Sequence, residues 1–317
     1  MNPASPLTEV PDVAFATAAA TLPIEAAEQS DSAVSRWSDY YELTKPRMNA
    51  LVVITTAVGY FMAVRGFADW ARLLHTVLGT ALTAAGASVL NQYVEIDLDA
   101  KMARTANRPL PAGRVSPIEA LAFGVVLAAA GVLYLASMVN PLSAALAGLT
   151  LVTYVFAYTP LKTRTSLCTV VGAVPGAIPP MIGFAAADGM VSPGAWALFS
   201  ILFFWQLPHF LAIAILYRDD YASGGMKMLP VLDRNGAFTG RQIVLWSLAL
   251  IPVSLFPSVV GMTGGGYFMA AALLGVAFLA CAVKCALTGS RPDARRLFLF
   301  SIIYLPALLG VMMATKL

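Results

Sequence analysis

Nine runs of mostly apolar residues follow one another along the chain, separated by short polar stretches. They fall at roughly 49–65, 73–93, 118–138, 141–159, 166–187, 194–217, 242–262, 266–287 and 297–315. Each is near the roughly 20 residues a helix needs to cross the hydrocarbon of a bilayer. The pattern predicts an all-α integral membrane protein with nine transmembrane helices. The turns after 118–138 and 242–262 are very short. Gly and Pro recur inside the runs, as in "GAVPGAIPP" and "FFWQLPHF". Helices in a membrane tolerate them when neighbours satisfy the freed backbone groups. Gly79, Ala84, Ala85, Gly86 and Ala87 predict a seam of close helix packing.

Composition agrees. The 317 residues are 59% hydrophobic and 12% charged, with a mean hydropathy of +0.75. Soluble domains carry about 25% charge, so two soluble domains are excluded. The net charge of +3 gives no reason to expect nucleic acid. Cys168, Cys281 and Cys285 lie in or near apolar runs and read as small buried apolar residues. Residues 1–35 hold Glu9, Asp12, Glu25, Glu28 and Asp31 but no Lys or Arg. That suits neither a secretory nor a mitochondrial leader and predicts a disordered cytoplasmic tail ahead of a membrane domain at 36–317.

The basic residues orient the helices, because cytoplasmic loops carry the excess of Lys and Arg. With the N-terminus inside, 17 of the 20 basic residues fall on the inner side; only Arg65, Arg72 and Lys316 fall outside. Nine crossings then place the C-terminus outside. Polar residues concentrate in two long inner loops, 94–117 and 218–241, and a shorter one at 160–165. A reaction site should therefore face the cytoplasm.

The first loop opens with "NQYVEIDLDAKMARTANRPLPAGR", residues 91–114. If the preceding helix continues, about 100° per residue puts Asn91, Glu95 and Asp99 on one stripe and Asp97 on another side. Two carboxylates and an amide are hard oxygen ligands suited to Mg²⁺ with a substrate phosphate. The stripe starts inside an apolar helix, where polar groups usually line a cavity. Lys101, Arg104, Arg108 and Arg114 follow, and Arg suits phosphate oxygens. Tyr158, Lys162 and Arg164 sit in "YTPLKTRT". A third group comprises Trp205, Gln206 and His209 within an apolar run, then Asp219, Asp220 and Lys227. A histidine beside Trp, Gln and Pro in a membrane span is a candidate ligand or polar substrate contact. His75, near an outer end, reads as structural.

These blocks, with "GAVPGAIPPMIGF" and "WQLPHFLAIAILYRDDYASGGMKMLPV", resemble the signature blocks of the protoheme IX farnesyltransferase (heme O synthase) family. That family is a branch of the UbiA-type intramembrane aromatic prenyltransferases. The resemblance runs from about Leu43 to the C-terminus. It implies nine helices around a central cavity open sideways to lipid. It also implies transfer of farnesyl from farnesyl diphosphate to a vinyl group of heme B, with water added and diphosphate released. On this reading Asn91, Glu95, Asp99, Arg104 and Lys162 are catalytic. Arg104, Arg108, Lys162 and Lys227 bind diphosphate. Asn91, Glu95 and Asp99 hold Mg²⁺, with Asp219 and Asp220 as a second acidic pair. His209, Trp205 and Gln206 contact heme, His209 through iron or a propionate. The setting implied is a bacterial cytoplasmic membrane, with a heme A synthase or oxidase-assembly partner and a homo-oligomer as associated expectations.

Two positions depart from the wider superfamily: Glu95 stands where Asp is usual, and Leu216 lies four before Asp220 where a second Asp is usual. Two other readings compete. One is a prenyltransferase acting on a quinone precursor or chlorin. The other is a secondary transporter, whose key groups would lie at the midplane rather than at one face as here.

Overall fold

The computed structural model describes residues 36–317, which form one compact unit; the expected tail, 1–35, lies outside the described residues. In chain order the helices are α1 (Arg36–Leu43), α2 (Pro46–Ala63), α3 (Trp70–Val94), α4 (Ile96–Asp99), α5 (Pro117–Met138), α6 (Pro141–Val152), α7 (Thr159–Leu161), α8 (Cys168–Ala177), α9 (Pro179–Asp188), α10 (Pro193–Leu216), α11 (Arg218–Ser223), α12 (Leu229–Leu232), α13 (Ala237–Val259), α14 (Gly265–Thr288) and α15 (Arg291–Ala314). A π-helical turn, Thr153–Tyr158, joins α6 to α7. The described residues contain no strand, only an isolated bridge between Thr263 and Lys316.

Eight segments are long and apolar enough to cross a membrane: α3, α5, α6 through α7, α8 through α9, α10, α13, α14 and α15. The first expected span is also a helix, α2, of 18 residues. Its opening turn holds Arg47 and Asn49, which shortens its apolar length below that of the others. The polar breaks between runs act as helix starts. Asp69, Ser116, Asn140 and Ser290 each accept a backbone N–H of the following first turn, satisfying donors that a helix end leaves open.

Packing follows the small residues. Gly79, Thr83 and Gly86 of α3 face Gly131, Ala128 and Gly124 of α5, where an added methyl would meet the opposing helix. Both sets run i, i+4, i+7, so each forms a smooth stripe that lets backbones close up. Of the expected seam, Gly79 and Gly86 make this contact, joined by Thr83. A second close approach joins α2 to α9: a Cβ at Gly183 would run into the Thr56 carbonyl oxygen, and one at Gly59 into the Pro180 carbonyl. Backbone offers no room to move aside. Gly183→Ala should therefore cost about 1–3 kcal/mol through overpacking, read as lower unfolding temperature of the purified protein in detergent; an unchanged midpoint would disprove the contact.

The main core joins α2, α8, α9, α10, α13, α14 and α15 around Leu198, Ile201, Phe278, Tyr304 and Leu308. The α8–α9 segment is the most enclosed, with 72% of its apolar window buried, against 22% for α5. Leu133, Phe156, Leu273 and Ile303 are exposed, as suits helices whose outer faces meet lipid rather than water.

The polar loops meet at one end of the bundle. Arg36 pairs with Glu119 at 2.8 Å, and Arg114 with Asp39 at 2.7 Å. Gln92 donates to the Leu43 carbonyl, tying α1 to α3. Met102, Cys168, Met226 and Met228 form a small core between the three polar loops. The Lys227 N–H donates to the Lys162 carbonyl at 2.7 Å. At the other end Lys316 donates to the carbonyls of Phe61 and Val64. Contacts thus join the segments expected on the inner side to one another, and those expected on the outer side to one another.

Candidate active site

The stripe read from spacing is present and closed off. α3 ends at Val94 and Glu95 leaves helical geometry, with φ −101° and ψ 11°. The hydrogen-bond rhythm continues across the break: Glu95 N–H to Asn91 C=O at 3.1 Å, Asp99 N–H to Glu95 C=O at 2.8 Å. Asn91, Glu95 and Asp99 therefore stay on one side. They are 1%, 3% and 2% exposed, while Asp97 is exposed to solvent. Bare carboxylates at such depth would be very costly, so each must be matched.

Each member of the stripe has its own cation. Lys45 Nζ donates to Asn91 Oδ1 at 3.1 Å. Lys162 Nζ lies 2.8 Å from Glu95 Oε1. Arg108 donates to Asp99 Oδ2 at 2.6 Å. The Lys162–Glu95 contact is an ion pair buried on both sides. Lys162 also sits over the Tyr158 ring, 4.6 Å from its centroid. Asn91 Nδ2 donates to Thr159, whose hydroxyl donates in turn to the Tyr154 carbonyl. The π turn thus places Tyr154, Tyr158 and Thr159 against the stripe, a common use of such turns.

Lys45 is the site residue that spacing did not single out. It has φ 48° and ψ 56°, the sole positive φ outside glycine among the described residues. That left-handed backbone costs about 1–3 kcal/mol and aims the side chain at Asn91. Burial, then the charges of Arg108 and Lys162, lowers its pKa to about 7. Its one sequence cue is Pro46, which starts α2 and forces a break just before it.

Other expected members lie elsewhere. Arg104 is exposed and rests over the rings of Tyr217 and Tyr221, 5.3 and 5.9 Å from their centroids. Lys227 reaches the site through its backbone, with an exposed side chain. Asp219 is exposed and 4.0 Å from Arg291. No cluster of three or more His, Cys, Asp or Glu suited to a metal occurs among the described residues. Trp205, Gln206 and His209 lie on α10, with Gln206 donating to the Leu202 carbonyl. His75 meets the Tyr134 hydroxyl at 2.7 Å, away from the stripe.

Residues 52–304 match the model of the UbiA prenyltransferase family. This chain belongs to that family. The prenyltransferase is 49% identical over 287 residues to a protein of Solibacter usitatus named protoheme IX farnesyltransferase, covering 88% of this chain and 98% of that one. Its fold is shared by a structure of digeranylgeranylglyceryl phosphate synthase, at TM-score 0.75 and 16% identity, covering 88% of this chain and 98% of the other. It is also shared by a UbiA homolog from Archaeoglobus fulgidus bound to GPP and Mg²⁺, at TM-score 0.63 and 14% identity, covering 87% and 99%. With its eight apolar helices and bacterial relatives, the prenyltransferase is a multi-pass protein of the bacterial inner membrane.

Proposed function

We propose that this prenyltransferase joins the farnesyl group of farnesyl diphosphate to a vinyl group of heme B. Water is added and diphosphate leaves, giving heme O. The observation that carries the choice of acceptor is the 49% identity, over nearly the full length, to a protein named for this reaction. The geometry supports the diphosphate half: a buried oxygen stripe matched one for one by Lys45, Lys162 and Arg108.

The donor set fits Mg²⁺. Asn91, Glu95 and Asp99 supply hard oxygens from one buried side of the chain. When bound there, Mg²⁺ would draw charge from the departing diphosphate. The chain's own basic groups do the rest. Lys45, Lys162 and Arg108 are already gathered at the acids and can turn to phosphate oxygens as the substrate arrives. Arg104 and Lys227, on adjoining segments, serve the outer diphosphate oxygens.

Ionisation breaks the allylic C–O bond and sends the electron pair to diphosphate. The vinyl π electrons then form the new C–C bond. The cation left beside the porphyrin takes up water and releases a proton to solvent. Electrostatic groups fixed before the reaction stabilise the developing charge without reorganising. Apolar helix faces exclude water until the C–C bond has formed.

The reading carries the rest of the architecture with it. α2 counts as the ninth crossing, the N-terminus is cytoplasmic and the C-terminus outside, supported by the separate meeting of inner and outer segments. The reading assigns metal to the stripe, apart from Asp219, exposed, and Asp220, half-buried, on α11. A heme A synthase or oxidase-assembly partner and self-association fit a product handed on within the membrane.

The test incubates purified protein with heme B, farnesyl diphosphate and Mg²⁺. Mass spectrometry should show heme gaining farnesyl plus the elements of water. Chelation with EDTA should abolish the gain and added Mg²⁺ restore it. Prenylation of a quinone precursor or chlorin in place of heme would favour the alternative acceptor. Energised uptake of a solute without any prenylated product would favour a transporter.

A further inference from the structure

His209 uses one ring nitrogen and leaves the other. Its Nδ1 lies 2.6 Å from Ser301 Oγ on α15. The Ser301 hydroxyl also lies 2.5 Å from the Phe298 carbonyl oxygen, to which it donates. A carbonyl only accepts, and a serine has a single hydroxyl proton. That proton is therefore spent on Phe298. Both contacts are satisfied only when His209 Nδ1 carries a proton and donates it to Ser301 Oγ. The ring's neighbours are Trp205, stacked at 4.8 Å and 23°, with Phe298 at 5.2 Å and Phe210 at 5.6 Å. No carboxylate is among its described contacts, so an imidazolium would have no counter-charge inside the bundle. The ring is neutral with its proton on Nδ1. The lone pair is then on Nε2, which no described residue engages, on a side chain only half-buried.

The same serine fixes the orientation twice. Trp205 Nε1 donates to the Ser301 carbonyl at 2.9 Å, and Trp205 stacks on His209. Ser301 is fully buried. A neutral imidazole whose N–H is anchored in this way, with the other nitrogen open, is the usual arrangement of a metal-ligating histidine. His209 lies seven residues before the end of α10, about two turns inside the cytoplasmic end. It is thus set deeper than a helix-end group.

We propose that Ser301 is a positioning residue: its Oγ accepts a hydrogen bond from the His209 Nδ1–H and so presents the Nε2 lone pair as an axial ligand to the iron of the porphyrin substrate. This rests on the heme reading above and adds how the porphyrin is held. Ligation fixes the iron, while the Trp205 and Phe298 rings keep the imidazole from turning.

The test uses ferrous protoheme bound to the purified full chain, read by resonance Raman for the iron–histidine stretch and by optical titration for affinity. The wild type should show the stretch. His209→Gly should lose it, and added imidazole should bring it back. Ser301→Ala retains the backbone carbonyl that anchors Trp205. It should move the stretch and weaken heme binding about tenfold, within the range for a lost partner of a metal-bound histidine. Ser301→Cys, with a weaker acceptor of similar size, should fall between. His75→Ala should match the wild type. A stretch that survives in His209→Gly without imidazole overturns the ligation. An unchanged stretch and affinity in Ser301→Ala overturns the role of Ser301. Wild-type protein that prenylates heme yet shows no iron–histidine stretch would sink this inference and leave the proposed function standing. Wild-type protein that neither binds nor prenylates heme would remove both.

Discussion

Replacing Glu95 with Gln, or Asp99 with Asn, will lower prenyl transfer by at least about 100-fold, while Asp97→Asn will stay within a few-fold of wild type. The scale is that of deleting one preorganised electrostatic group at a developing charge. The contrast follows from position. Glu95 and Asp99 are 3% and 2% exposed and each faces a cation, Lys162 or Arg108. Asp97 is on the solvent side of the same short helix. The amides preserve shape, so the loss should lie in the chemistry rather than in folding. Steady-state rates at several Mg²⁺ concentrations would check it. Equal losses at all three positions would show that the acidic loop acts as a diffuse charge and not as a directed stripe.

The second large effect concerns Lys162. It is 8% exposed and lies 2.8 Å from Glu95. Removing one partner of a buried ion pair strands the other charge, typically at about 3–5 kcal/mol. Lys162→Met should therefore lower both thermal stability and turnover, the latter more than 100-fold if the ammonium also meets diphosphate. Glu95→Gln in the same chain should recover much of the stability, because no charge is then stranded, but none of the activity. A double variant as unstable as Lys162→Met alone would refute the pairing. Lys162→Arg should retain stability better than Met, since it keeps the charge, although its planar fork does not reproduce the contact with the Tyr158 ring.

Much of the site was legible because helical periodicity survives small interruptions. Asn91, Glu95 and Asp99 were grouped by angle alone, and Asp97 separated from them. The helix does break at Glu95, but the i to i+4 bonds continue across the break, so the three side chains stay on one side. The all-helical membrane class followed from apolar runs, since a spanning backbone must satisfy itself internally.

Other assignments needed the folded chain. Arg104 and Arg108 look alike in the sequence, four residues apart on one loop. The loop's path delivers Arg108 to Asp99 and lays Arg104 on Tyr217 and Tyr221. Which tyrosines lie beneath depends on α10 and α11, more than 100 residues away. In the sequence Lys45 is one more basic residue ahead of an apolar run. Its contact with Asn91 comes from a left-handed turn and from α2 returning against α3; Pro46 marks the break but neither its left-handed form nor the helix it returns to. Asp219 follows the same rule in reverse: an acid beside an acid in sequence, it points to Arg291 at the start of α15.

The sequence by itself determined the membrane class, the loops in which charge gathers, the oxygen stripe and the family resemblance. All of these are set by local period, composition and ordered motifs. Tertiary structure alone decided which cation meets which acid, that Lys45 belongs to the site, and that Ser301 faces His209 across 92 residues. The physical reason is that side-chain pairing depends on where helices distant in the chain are brought together. Close packing at glycines such as Gly183 sets those positions to within an atom's width; small residues mark where a helix can close up, not which helix meets it there.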